Sequence, residues 1–207
     1  MSAAPPTNPD LGSTGVEPAP RVNPDPTPWS FRAKVGRTLW HLFGSVVFRL
    51  TFHNWYGLRA AILRLFGAKI GRGTKIRPTA HVEVPWMLEV DDEASVGDFA
   101  ILYCLGPIHI GKRASVSQYA HLCAGTHDYT DPRLPLIRSP INIGEDAWIG
   151  ADAFVGPGVT VGALTVLGAR ASIYKDAEPG KVYVGNPARP IKDRVLRAGD
   201  ADRDASS

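Results

Sequence analysis

The sequence predicts an all-β solenoid, a coiled β-prism of about five coils with an α-helical cap before it and a short extension after it. Two observations carry this prediction. From Ile143 to Glu178 the chain reads as unbroken hexads (IGEDAW, IGADAF, VGPGVT, VGALTV, LGARAS, IYKDAE), each opening on an aliphatic residue with a small residue fifth. A strict six fits neither a helix, with its period of about 3.6, nor an ordinary strand, with its period of about two. Weaker hexads then continue the same register upstream: IGRGTK and IRPTAH, next VDDEAS, VGDFAI and LYCLGP, and last IGKRAS, VSQYAH and LCAGTH.

The N-terminal segment comes first. Residues 1–30 hold eight of the 18 prolines and almost no aliphatic pattern, so a disordered arm is expected there. The arm has no basic start followed by an apolar stretch, so it does not read as a secretory signal. Residues 31–68 read as a helical cap. Leu39, Leu42, Phe43, Val46 and Leu50 form one apolar stripe, and Leu58, Ala61, Ile62, Leu65 and Phe66 a second, with Gly67 as the stop. Between Asp25 and Glu83 there are ten Lys or Arg and no Asp or Glu. The stripes are expected to close the apolar end of the prism. The same basic, Trp- and Phe-rich element also suits an anionic membrane surface, and the two roles are compatible. The uncharged stretch from Thr38 to Phe48 is too short to span a bilayer.

Residues 69–180 are the prism itself. The first residue of each hexad points inward, and the small fifth residue lets the chain turn the corner. Glycine second in the hexad, as at Gly144, Gly150, Gly156, Gly162 and Gly168, allows an approach that a Cβ would hinder. Since no hexad buries its face alone, coils must stack and the ends must be capped. With three hexads per coil, coils begin at Ile70, Val90, Ile110, Ile143 and Val161, and every excess over 18 residues follows a third hexad. All insertions therefore emerge at one corner. The longest, 127–142 (HDYTDPRLPLIRSPIN), is too long for a turn and is read as functional. Residues 181–207 form a final strand, loop and tail.

Composition adds bounds. With 23 Lys or Arg against 20 Asp or Glu, the net charge of +3 is modest, and no reader motif for nucleic acid is present. Cys104 and Cys123 read as reduced, partly buried residues of a cytoplasmic protein.

The segment L122-C-A-G-T-H-D-Y129, the proline-rich excursion, the run PINIGEDAWIGADAFVGPGVTVGALTVLGARASIYKD and the ending GNPARPIK together resemble the left-handed parallel β-helix O-acetyltransferases. The nearest group resembles the colanic-acid type of exopolysaccharide acetyltransferase, relatives of the maltose, galactoside and nodulation sugar enzymes. The resemblance covers about Phe31 to Lys192. It implies acetyl-CoA as acyl donor, no metal, a homotrimer with the site between two subunits, and a sugar or lipid-linked glycan as acceptor. It also implies a cytoplasmic protein, with peripheral contact at the inner membrane face a compatible placement.

By the same resemblance His127 is the general base, a role its side chain permits because an imidazole with an ordinary pKa of about 6.5 can be neutral near pH 7. The Ala151 amide would hold the oxyanion, with Trp148 beside the donor. Ala151 and Ala169 would line the pantetheine arm, Tyr174 and Lys175 the diphosphate, and Arg189 and Lys192 the ribose phosphate. Tyr174 departs from the Thr common in the family. Asp98, Tyr103 and Gln118 are candidates to face the acceptor, while Asp128 would orient His127 or cap the turn. The stretch L102-Y-C-L lacks the Asn or Asp that often meets the acceptor. Two readings stand beside this one. His109, His121 and His127 suggest a γ-type carbonic anhydrase zinc site, although the spacing of six between His121 and His127 is one too many; a non-catalytic scaffold would need neither the THD loop nor the GNPAR ending. Serine acetyltransferase is disfavoured, since the short leading segment has no counterpart to its long helical domain.

Overall fold

The computed structural model describes residues 29–196. The Pro-rich arm up to residue 28 and the tail from residue 197 lie outside the described residues. Helix α1 (Phe31–Leu39) runs through a π-helical turn, Trp40–Gly44, into α2 (Ser45–Arg49), and α3 (Tyr56–Leu65) follows. Gly67, at φ +88°, ends that segment as expected.

Three parallel sheets then form the faces of a prism. The first face carries Lys69–Ile70, Leu88–Val90, Ile108–Ile110, Ile141–Ile143 and Thr160–Val161. The second carries Lys75–Ile76, Ser95–Val96, Ser115–Val116, Trp148–Ile149 and Val166–Leu167, and the third His81–Val82, Ile101–Tyr103, His121–Cys123, Phe154–Val155 and Ser172–Ile173. The five expected coils are followed by a partial sixth. In it Ala177 bridges Val161, and Lys181–Gly185 prolongs the second face before Ala188–Asp193 folds back against it. The sequence pattern weakens after IYKDAE because this last turn no longer needs to cover another coil.

Both the first and the fifth hexad residues face inward. Ile143, Ile149, Val155, Val161 and Leu167 are buried, and so are Ala147, Ala153, Val159, Thr165 and Ala171. The fifth residue is small because it shares a narrow core, not only because it turns a corner.

The corners follow one hydrogen-bond rule. The second residue's N–H donates to the first residue's carbonyl on the next coil, as from Gly144 to Val161 and from Gly150 to Leu167. The fifth closes the turn within its own hexad, as from Ala153 to Gly150. The fourth donates back to the third residue's carbonyl on the preceding coil, as from Asp152 to Gln118 and from Arg170 to Ala151. That fourth residue takes a left-handed conformation, with φ of 56° to 62° at Glu93, Phe99, Arg113, Tyr119, Asp146, Asp152, Leu164 and Arg170. Such backbone costs on the order of 1 kcal/mol per non-glycine residue, offset here by the inter-coil bond. Glycine therefore serves close approach rather than positive φ. A Cβ on Gly162 would sit 2.5 Å from the Pro179 backbone nitrogen.

The helices close the first coil, but not with the faces the pattern suggested. Trp40, Gly44 and Phe48 are buried, and Trp40 Nε1 donates to the Val82 carbonyl at 2.7 Å. In α3 the buried residues are Arg59, Ala60 and Leu63. Arg59 is tolerated there because its guanidinium donates to the carbonyls of Ile76, Phe52 and His53 and to the Thr51 hydroxyl. Leu42, Phe43, Val46, Leu50, Leu58 and Leu65, read as capping stripes, face outward. A carboxylate also ties helix to coil: Glu83 accepts from Arg37 at 2.6 Å and pairs with His81 Nε2 at 3.1 Å, with His41 at 3.6 Å. The His81 hydrogen bond, with help from Arg37, holds the Glu83 carboxyl down at about 2 despite its burial.

Gly162→Ala is expected to lose about 1–3 kcal/mol of stability through the clash with Pro179. Gly57→Ala, where an added Cβ meets nothing within 4 Å, should be neutral or gain up to about 1 kcal/mol; chemical denaturation compares them. Because the folded-state pKa of Glu83 lies below the ordinary 4.5, its contribution is present above that value and disappears as pH falls toward about 2. Denaturant unfolding at stepped pH should show the protein about 2–3 kcal/mol more stable than Glu83→Gln near neutrality, with that gap closing across the same window. A gap independent of pH would contradict this assignment.

Candidate active site

Every insertion leaves the prism between the third and first faces, as the hexad arithmetic predicts. The longest is an ordered hairpin: Gly125–His127 pairs antiparallel with Leu136–Arg138, with His127 opposite Leu136. Its tip is held by its own polar groups. Asp128 Oδ1 accepts from the Thr130 amide at 2.9 Å and from its hydroxyl at 2.6 Å, while Asp131 accepts from Arg133. These hydrogen bonds from Thr130 lower the pKa of the Asp128 carboxyl. Asp128 thus caps the turn, one of its two expected roles, and is not bonded to the His127 ring.

The exposed His127 ring is oriented instead by backbone. Its Nδ1 lies 2.6 Å from the Leu134 carbonyl oxygen, and Leu134 is itself held at φ +50°. A carbonyl only accepts, so Nδ1 carries a proton, and in the neutral ring Nε2 carries the lone pair. The result is an exposed imidazole, its neutral tautomer defined, at the last strand pair before the hairpin's tip.

Ala151 and Ala169 occupy third hexad positions on adjacent coils at the corner between the second and third faces; Arg170 N–H donates to the Ala151 carbonyl. The amides of Gly150, Asp152, Gly168 and Arg170 are all used between coils. Those of Ala151 and Ala169 take no acceptor among the described residues. Trp148 stands outward on the second face, about half exposed, its Nε1 donating to Ser117 Oγ at 2.9 Å. Arg189 and Lys192 lie on Ala188–Asp193, the strand that extends that face. Tyr174 is exposed on the third face against Phe154, with ring centroids 5.7 Å apart, and Lys175 is exposed at the corner that bears the hairpin. Within one chain, His127 and the Ala151–Ala169 corner are therefore brought to opposite edges of the third face.

That face carries an aromatic row. Tyr103 packs edge-on against His121 at 6.3 Å, and His121 against Phe154 at 5.4 Å. Burial raises the Tyr103 phenol pKa, with Glu83 adding to the effect, and burial lowers that of His121. Asp98 is bound into the fold: Thr79 and Arg77 donate to its two oxygens and lower its pKa, and Arg77 also donates to the Tyr56 hydroxyl. Its neighbour on the next coil, Gln118, accepts Asp152 N–H through its carbonyl.

One connection was not visible in sequence. Arg138 of the hairpin and Arg37 of α1 both stand over the Trp29 ring, at 5.2 and 5.0 Å from its centroid, and Arg37 goes on to Glu83. The leading helix and the His127 hairpin are joined through one indole. The available signal was Glu83 itself, the residue that ends the acid-free run.

Cys104 is no nucleophile, since complete burial pushes its thiol up to about 12. The three histidines suggested for zinc do not gather in the chain: His109 lies on the first face, His121 on the third and His127 on the hairpin. Among the described residues, a trio with metal-ligand atoms within 4.8 Å of one another is Glu89, Asp91 and His109. There Lys69 pairs with Glu89, and Asp91 with His109.

Comparison with known proteins agrees with the fold. Residues 140–175 match the family described as bacterial transferase hexapeptide (six repeats). The chain is 44% identical over 157 residues to the putative colanic acid biosynthesis acetyltransferase WcaF of Escherichia coli K12, covering 76% of this chain and 86% of that one. In structure it resembles a maltose O-acetyltransferase from Clostridium difficile, with a TM-score of 0.73 and 25% identity over 81% of this chain and 90% of that one. It also shares its fold with a hexapeptide-repeat acetyltransferase of Vibrio cholerae solved with acetyl coenzyme A, at a TM-score of 0.74 and 22% identity, covering 81% and 91%. With that identity over most of both sequences, and with its own unbroken hexads, the chain belongs to the hexapeptide-repeat acetyltransferase family.

Proposed function

We propose that the protein transfers the acetyl group of acetyl-CoA to a sugar hydroxyl, free or lipid-linked, in the synthesis of an exopolysaccharide or other cell-surface glycan. The observation that carries this reading is the His127 ring, whose Nδ1 is committed to the Leu134 carbonyl so that Nε2 is the acceptor. In the proposed reaction Nε2 takes the hydroxyl proton as the sugar oxygen attacks the thioester carbonyl carbon. The negative charge that develops on the carbonyl oxygen is met by a backbone amide, for which Ala151 has a free N–H. The carbon–sulfur bond then breaks, and the imidazolium returns its proton to the departing thiolate. Products are the acetyl ester and CoA thiol, with no acyl-enzyme.

The donor would run along the corner with unused amides, past Ala169 and Trp148, with Tyr174 and Lys175 near the diphosphate and Arg189 and Lys192 near the ribose phosphate. Tyr103, at the foot of the aromatic row, is the acceptor-side residue this reading retains; Asp98 already spends both oxygens on the fold, and Asp128 spends Oδ1 on the turn. A homotrimer supports the chemistry, because one chain holds base and donor corner on opposite edges of a face. The placement proposed is cytoplasmic.

His127→Ala should keep the hairpin, whose strands pair through backbone, yet lower acetyl transfer by about 10²–10⁴. The assay supplies acetyl-CoA with free sugars, nucleotide sugars and lipid-linked oligosaccharides and reads acetylated product by mass spectrometry. Transfer at the unmutated rate in this variant would overturn the mechanism.

A further inference from the structure

We infer that the two leading helices rest an apolar, cationic face on an anionic lipid surface, a role independent of the acetyl-transfer reading. The argument begins with which side chains the fold uses. Trp40, Gly44 and Phe48 on one helix, and Arg59, Ala60 and Leu63 on the other, complete the end of the prism. The opposite sides are just as apolar and cover nothing among the described residues: Phe43 is 62% exposed, Leu50 78%, Phe52 69% and Leu65 83%. Twelve large apolar side chains between Phe31 and Leu65 are exposed, half of all those exposed among the described residues. A surface of this extent marks an interaction site, and end-capping of the prism does not account for it.

Charge selects the occupant. Arg32, Lys34 and Arg49 are exposed on the same helical run and have no ion-pair partner among the described residues, and from residue 26 to 82 the sequence holds no Asp or Glu. A symmetric contact between two copies of this face would set these cations against each other with no carboxylate to separate them. An anionic bilayer instead supplies hydrocarbon for Phe43 and Leu50 and phosphate for the cations. Phe52 and Trp55, packed edge-on at 5.0 Å between the helices, suit the headgroup boundary. No described helix is long and apolar enough to cross a membrane, so the contact is with one leaflet's surface.

Deleting the helices would be a poor test, since Trp40 and Phe48 belong to the core. The full chain should instead co-sediment with vesicles containing about a third anionic phospholipid and only weakly with zwitterionic vesicles, and raising salt from about 0.1 to about 0.5 M should weaken binding. The outward pair Phe43→Ser with Leu50→Ser should cut partitioning at least about tenfold, and Arg32→Glu with Lys34→Glu and Arg49→Glu should abolish the anionic preference. Circular dichroism and gel filtration establish that each variant keeps its fold and assembly. Failure of the unmutated chain to bind anionic vesicles, or undiminished binding by the Ser pair, would overturn the inference. So would an assembly lost in the Ser pair with no vesicle binding by the parent, which would assign the face to self-association.

Discussion

The backbone ladder between coils is the constraint from which the rest follows. In the regular hexads, such as Ile149–Phe154 and Leu167–Ser172, the second amide goes to the coil ahead, the fourth to the coil behind and the fifth to its own turn. In those two hexads the third amide is left over among the described residues. Repetition of this pattern on adjacent coils leaves unclaimed donors spaced by one coil at the corner between the second and third faces. Ala151 and Ala169 are two such positions, and small side chains there leave the backbone accessible. The same ladder explains why eight fourth-position residues accept left-handed backbone. The conformation that strains each residue is also the one that binds the coils together.

The prism alone is a scaffold; its longest interruption carries the proposed base. All three insertions leave by one corner, and only the longest forms a hairpin, whose paired strands hold His127 beside the Leu134 carbonyl. The hairpin is not isolated from the rest. Trp29, between Arg138 and Arg37, and then Glu83 connect it to the leading helix whose far side carries the exposed apolar face. In the proposed arrangement, a helix that rests on lipid and a hairpin that acetylates a membrane-borne sugar share one continuous support.

Much of this was legible in the hexads: the three faces, the corner of every insertion, and the position of His127 at the base of the excursion. What was not legible has physical reasons. Both sides of each leading helix are apolar, so the Leu39–Leu50 stripe looked like the buried one, although Trp40, Gly44 and Phe48 have the better fit to the prism end. Arg59 could not be read as a core residue because its burial depends on carbonyls brought from Ile76, Phe52 and His53. Asp98 looked free to meet an acceptor, but Arg77 and Thr79 reach it from the neighbouring coil. The tautomer of His127 depends on a hairpin register that no periodicity encodes. The partial sixth coil was hidden because it has no successor to cover.

In the proposed homotrimer the site is assembled between chains, from the hairpin corner of one and the free-amide corner of another. Co-expression of two variants, each expected to be inactive, tests it most directly: His127→Ala, which lacks the proposed base, and Ala169→Trp, which would fill the proposed donor path at an exposed corner position. In randomly mixed trimers about a quarter of the sites would combine an intact hairpin with an intact corner, so turnover should recover to about that fraction of the unmutated rate. Mixed trimers as inactive as either parent would contradict the account.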